Sequence, residues 1–229
     1  MAYDVELIVN EHCACGENPL YNEQTGRFYW TDIPTRRLFE MDEATGEHRK
    51  IHDGDQQVGG FTFQEDGRLL LFRQTDIALL EDDGRVRSLY PFADEGVPRF
   101  NDVFADPEGR VFAGTMGKDD RGGLYRVDHD GTITNLWRGT NCSNGMAFTA
   151  DLRTMYWTDS PARTIEAFDY DRGTGALSNR RVVVRVPEGE GVPDGMTIDT
   201  EGRLFSTRFG GAGVFIYSPA GELLDKIEM

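Results

Sequence analysis

Gly109-Arg110-Val111-Phe112-Ala113 reads as a turn glycine, an arginine and the opening of a strand, and the chain writes this phrase five times. The other copies are Gly26-Arg27-Phe28-Tyr29-Trp30, Gly67-Arg68-Leu69-Leu70-Leu71, Leu152-Arg153-Thr154-Met155-Tyr156-Trp157 and Gly202-Arg203-Leu204-Phe205-Ser206. Their arginines recur at intervals of 41, 42, 43 and 50 residues. Self-similarity at about 40–50 residues is the period of a β-propeller blade.

Outward from each copy the pattern gives four short strands and no helix. In the first repeat these are residues 17–21, 27–32, 37–41 and 47–51, parted by Glu23-Gln24-Thr25-Gly26 and Glu43-Ala44-Thr45-Gly46. Short strands with Gly, Asp and Asn between them and aromatics at their ends suit radially packed four-stranded blades. The fold class predicted is therefore all-β, a propeller, with residues 1–229 as one domain. Five repeats fill residues 17–227. Residues 2–9 remain as one further strand, which would supply the outer strand of an incomplete last blade if the ring is not simply five-bladed.

Counting back from the turn arginine to the start of the inner strand finds one phase in every repeat: Glu17, Gly59, Asn101, Asn144 and Asp194. Innermost strands of a propeller line its channel, so residues at one phase form a ring around the mouth. An Asn-Gly or Asp-Gly pair alone is an ordinary turn. Four oxygen-bearing heads at one phase of five repeats point instead to a shared site. Two carboxylates and two amides are hard donors that suit Ca²⁺, Mg²⁺ or Mn²⁺, with Zn²⁺ as an open alternative.

Composition narrows the partners. A formal charge of −16 with only three lysines among 24 basic residues argues against nucleic acid and anionic membranes. No apolar run nears the roughly 18 residues of a membrane helix, and the first residues lack a signal-peptide pattern, so a cytoplasmic location is expected. Three cysteines in no zinc spacing read as idle thiols. The four histidines share no phase, and Ser143 and Ser160 lack a nucleophile elbow, which argues against histidine or serine catalysis. Asp32 and Asp159 each follow an aromatic strand end and read as hydrogen-bonding blade residues.

The phrases Gly16-Glu17-Asn18-Pro19, Arg99-Phe100-Asn101-Asp102, Gly114-Thr115-Met116, Ser143-Asn144-Gly145-Met146-Ala147, Tyr156-Trp157-Thr158-Asp159-Ser160 and Pro193-Asp194-Gly195-Met196 together resemble the senescence marker protein, regucalcin and gluconolactonase family of six-bladed lactonases. The resemblance spans essentially the whole chain. It implies that Glu17, Asn144 and Asp194 ligate one divalent cation, most often calcium. It also implies that Arg99 and Asn101 hold the substrate and that Asp194 is the catalytic general base. The activity implied is metal-dependent hydrolysis of a sugar lactone. Two other readings share the same oxygens: a calcium-binding propeller without turnover, and a paraoxonase-like esterase or phosphotriesterase. The sequence departs from the family at Val103, where many relatives carry glycine, and in showing five repeats.

Overall fold

A computed structural model describes residues 3–229. The twenty strands fall into five consecutive groups of four. The first blade is β1 (Gly16–Asn22), β2 (Arg27–Asp32), β3 (Arg37–Asp42) and β4 (His48–Asp53). The second is β5 (Gly60–Phe63), β6 (Leu69–Phe72), β7 (Asp76–Leu80) and β8 (Val86–Pro91). The third is β9 (Arg99–Ala105), β10 (Val111–Met116), β11 (Gly122–Val127) and β12 (Ile133–Thr140). The fourth is β13 (Ser143–Phe148), β14 (Thr154–Asp159), β15 (Thr164–Asp171) and β16 (Ala176–Arg185). The fifth is β17 (Val192–Ile198), β18 (Leu204–Phe209), β19 (Gly213–Tyr217) and β20 (Leu223–Glu228). Every sheet is an antiparallel meander whose first strand is innermost, and the blades form a ring as a β-propeller. No helix occurs among the described residues, so none is long and apolar enough to cross a membrane.

In the second, third and fifth blades the repeated arginine clips the turn before the second strand. Asp106 accepts the backbone N–H of Glu108 and Arg110, each at 2.9 Å, and its second oxygen takes Arg110 Nε at 2.6 Å. Asp199 treats Arg203 the same way, with the Nε contact at 2.6 Å. The glycine between them is left-handed, with φ of 76° at Gly109 and 80° at Gly202, a region open to glycine without cost. Arg110 also donates to the Tyr170 hydroxyl, tying the third blade to the fourth.

Between blades lie four apolar clusters, at the first–second, second–third, third–fourth and fourth–fifth junctions. Phe61, Phe72, Phe100, Phe112 and Trp157 are fully buried in them. At about 1.5–3 kcal/mol for each large side chain removed from water, this packing is what holds neighbouring blades in fixed relation.

The expected strand over residues 2–9 is a correction. Ala2 lies outside the described residues, and Tyr3–Val9 forms no strand. A strand exists only as a member of a ladder, and each of the five sheets draws all four of its strands from one consecutive stretch. Val5, Leu7 and Ile8 of this segment are correspondingly exposed. The described residues thus form five blades of four strands each, β17–β20 included.

Candidate metal centre and active site

In four of the five blades the inner strand is bulged where its head residue stands. The register against the second strand shifts between Glu17 and Leu20, between Phe100 and Val103, between Asn144 and Met146, and between Pro193 and Met196. A bulge sets extra residues against its partner and re-aims the side chains there. The second blade pairs β5 with β6 in unbroken register, and its head is Gly59. A Cβ on Gly59 would stand 2.0 Å from the Phe100 carbonyl oxygen, so only glycine fits, and this blade contributes no oxygen to the ring.

The strand starts are held from behind. Asp32, at the end of β2, accepts the N–H of Ala14 at 3.2 Å and of Cys15 at 2.9 Å, fixing the approach to Glu17. Asp159, at the end of β14, accepts the Thr140 hydroxyl at 2.8 Å, and Thr140 in turn accepts the Cys142 N–H. Both aspartates therefore play the hydrogen-bonding role read from sequence. Asn18, left-handed at φ 51°, bonds both backbone groups of Phe61 and stitches the first blade to the second.

Arg99, Asn101 and Asn144 lie in direct contact. Arg99 Nη1 donates to Asn101 Oδ1 at 2.6 Å and to the Phe100 carbonyl at 2.8 Å. Asn101 Nδ2 donates to Asn144 Oδ1 at 2.6 Å and to the Ser143 carbonyl at 3.0 Å. Asn144 Nδ2 donates to Ser160 Oγ at 2.8 Å. Asn101 and Asn144 are buried, while Arg99, Glu17 and Asp194 are half-buried.

Glu17 and Asp194 enter through charge. Burial and the nearby Asp194 carboxylate push the Glu17 carboxyl up to about 7. Burial raises Asp194 as well. Asp102, to which the sequence alone assigns no role, belongs here: desolvation, then the charges of Glu17 and Asp194, raise its carboxyl well above the usual range. It follows Asn101 within the bulge of β9, whose register only the pairing with β10 reveals. Arg99 is the nearby cation, supported by the charges of Glu17 and Asp102 against its own burial.

Three carboxyls drawn from water around a single arginine are held toward their protonated forms, and a divalent cation would offset the cost of ionising them. Among the described residues no three His, Cys, Asp or Glu side chains stand as a cage. A cation held here by protein oxygens would need an amide beside the carboxyls, and Asn144 Oδ1, which accepts Asn101 Nδ2 at 2.6 Å, is one such oxygen. The thiols fit the site poorly as ligands. Burial pushes Cys15 up to about 11 and Cys142 up to about 12, so both stay protonated near neutral pH. Cys15 donates to Glu17 Oε1 at 3.6 Å.

Residues 15–229 match the model of the SMP-30/Gluconolactonase/LRE-like region. A pentonolactonase of Haloferax volcanii is 40% identical over 226 residues, covering 98% of this chain and 77% of that protein. Human regucalcin is 30% identical over 236 residues, covering 98% and 79%. A luciferin-regenerating enzyme superposes with a TM-score of 0.86 at 27% identity, covering 93% of this chain and 76% of the other. A gluconolactonase of Xanthomonas campestris shares the fold with a TM-score of 0.81 at 24% identity, covering 93% and 76%. With its bulged inner strands and its ring of oxygen-bearing heads, the chain belongs to the SMP-30/gluconolactonase/LRE-like family.

Proposed function

We propose that this chain hydrolyses sugar lactones with the help of one divalent cation. The observation that carries the reading is its 40% identity to a pentonolactonase across 98% of its length. The cluster at the channel mouth supports it chemically. Glu17, Asn144 and Asp194 would hold the cation, calcium being the hard ion best suited to mixed carboxylate and amide oxygens. When bound, the cation supplies Lewis-acid polarisation of the lactone carbonyl and offsets charge that gathers on its oxygen.

The protein's own groups do the rest. Asp194, its carboxyl raised by burial, takes a proton from the attacking water as the water oxygen bonds to the carbonyl carbon. The ring C–O bond then breaks, and that proton passes to the departing ring oxygen, leaving an open-chain hydroxy acid. Arg99 has one nitrogen committed to Phe100 and Asn101, and the remainder of its fork is free to orient sugar hydroxyls. Asn101 has both N–H bonds committed, so it meets substrate only through its oxygen and otherwise fixes Asn144.

The reading includes a six-place circle, with the further place between the fifth and first blades. Four apolar clusters seal the other junctions, while Phe209 of the fifth blade is 67% exposed. The test of function is a panel of pentono- and hexonolactones set against aryl esters. Lactone turnover should vanish with a chelator and with Asp194→Ala, and turnover that survives either treatment overturns the proposal.

A further inference from the structure

Ser160 touches two elements of the mouth at once. It lies just past β14, is 4% exposed, and is bonded on both sides. Its hydroxyl donates to the Pro193 carbonyl at 2.6 Å, and its oxygen accepts Asn144 Nδ2 at 2.8 Å. The directions of these two bonds are not independent. A carbonyl only accepts, so Pro193 takes the single hydrogen that a serine hydroxyl owns. What Ser160 then offers Asn144 is a lone pair, and only the NH₂ end of the Asn144 amide can use it. The amide oxygen must therefore face the other way, toward the centre, where Asn101 Nδ2 reaches it at 2.6 Å.

We infer that Ser160 is a positioning residue that fixes the polarity of the Asn144 amide, presenting its oxygen rather than its nitrogen to a cation at the mouth. The inference rests on the cation reading above. Pro193 immediately precedes Asp194, so the same hydroxyl also ties the Asn144 amide to the strand that carries Asp194. In Ser160→Ala the Pro193 carbonyl and one Asn144 N–H lose their partner. The amide then keeps only Asn101 Nδ2, 2.6 Å from its oxygen, to hold it one way round, and its nitrogen end has lost its oxygen acceptor. Cys142 Sγ, 3.3 Å from Asn144 Nδ2, is a weak acceptor and a poor substitute.

The test is calcium titration calorimetry on the purified chain, with thermal unfolding of the metal-free protein as the control for folding. Groups that orient a ligating side chain typically account for about 10- to 100-fold in affinity. Ser160→Ala should weaken calcium by that factor, and Ser160→Thr, which keeps the hydroxyl, should restore most of it. The deciding comparison is made in an Asn144→Asp background. A carboxylate presents oxygen whichever way it turns, so Ser160→Ala should there change affinity by less than about threefold. Wild-type affinity in Ser160→Ala overturns the inference. An equal loss in both backgrounds overturns it too, since it assigns Ser160 to support of β17 alone. If Ser160→Ala fails to fold, a weakened Ser160→Thr that is not rescued by Asn144→Asp counts against it equally. Failure of the wild-type chain to bind calcium is a separate result and sinks the cation reading instead.

Discussion

Replacing Glu17 by glutamine should stabilise the metal-free protein and abolish its response to calcium. In the folded chain the Glu17 carboxyl is raised from 4.5 to about 7 by burial and by Asp194. The folded state therefore holds this proton more tightly than the unfolded chain does, and the energetic sign follows from that. Below pH ~4 both states are protonated and no penalty exists. As pH rises from 4.5 to about 7 the folded state is forced to carry a charge it resists, and above that range the penalty is complete. Each tenfold change in proton affinity corresponds to about 1.4 kcal/mol, so the rise from 4.5 to about 7 is worth at most about 3 kcal/mol. Glu17 is only half-buried, and solvent screening trims the figure to about 1–3 kcal/mol. For a chain of this length each kcal/mol moves the melting temperature by about 2–4 °C. Metal-free Glu17→Gln should thus melt about 2–12 °C above wild type at pH 8 and level with it near pH 4. Calcium at a hundred times its dissociation constant should stabilise wild type by about 2.7 kcal/mol and leave the variant unmoved. Calorimetric melting at both pH values, with and without the ion, measures all of this. A variant that is less stable than wild type at pH 8 would falsify the argument, because Glu17 would then be a structural carboxylate.

Two further outcomes are expected. Glu17 near its midpoint at pH 7 must lose its proton when a cation binds, so calcium titrations in buffers of differing ionisation heat should report at least about half a proton released per ion at pH 7. Gly59→Ala would place a methyl group 2.0 Å from the Phe100 carbonyl and force the second and third blades apart. It should cost about 3 kcal/mol by thermal melting, whereas Gly26→Ala, with open space around it, should cost about 1 kcal/mol. Equal losses for the two would show that the close blade approach is not real.

The sequence carries the blade count and most strand limits because a turn residue marks each period. Residues 27–32 read as a strand from Gly26-Arg27 and aromatic ends, and β2 occupies that span. The heads are legible for the same reason, since a fixed distance from the turn arginine is a fixed height in the channel. What lies hidden are relations between repeats. The bulges that aim Glu17, Asn101, Asn144 and Asp194 are pairing irregularities, visible only against the second strand. Gly59 shares the phase, yet the reason it must be glycine belongs to the neighbouring blade. Asp102 and Ser160 join the site through contacts across blade boundaries, which no local pattern encodes. Residues 2–9 read as a closing strand because five repeats leave them over, and being left over supplies no partner ladder; residues 3–9 form no strand.

Each blade sends at most one short bulged segment to the mouth, while its third and fourth strands lie farther out, with Thr140 at the end of β12 reaching in to hold the start of β13. Sequence change is therefore partitioned by radius. The outer strands β4, β8, β16 and β20, and β12 short of Thr140, can drift in charge to suit a new solvent or surface without disturbing the centre. A change of substrate needs only a residue or two at a bulge. A lineage built this way can exchange chemistry and environment on separate schedules, because the two are written on different rungs of the same sheets.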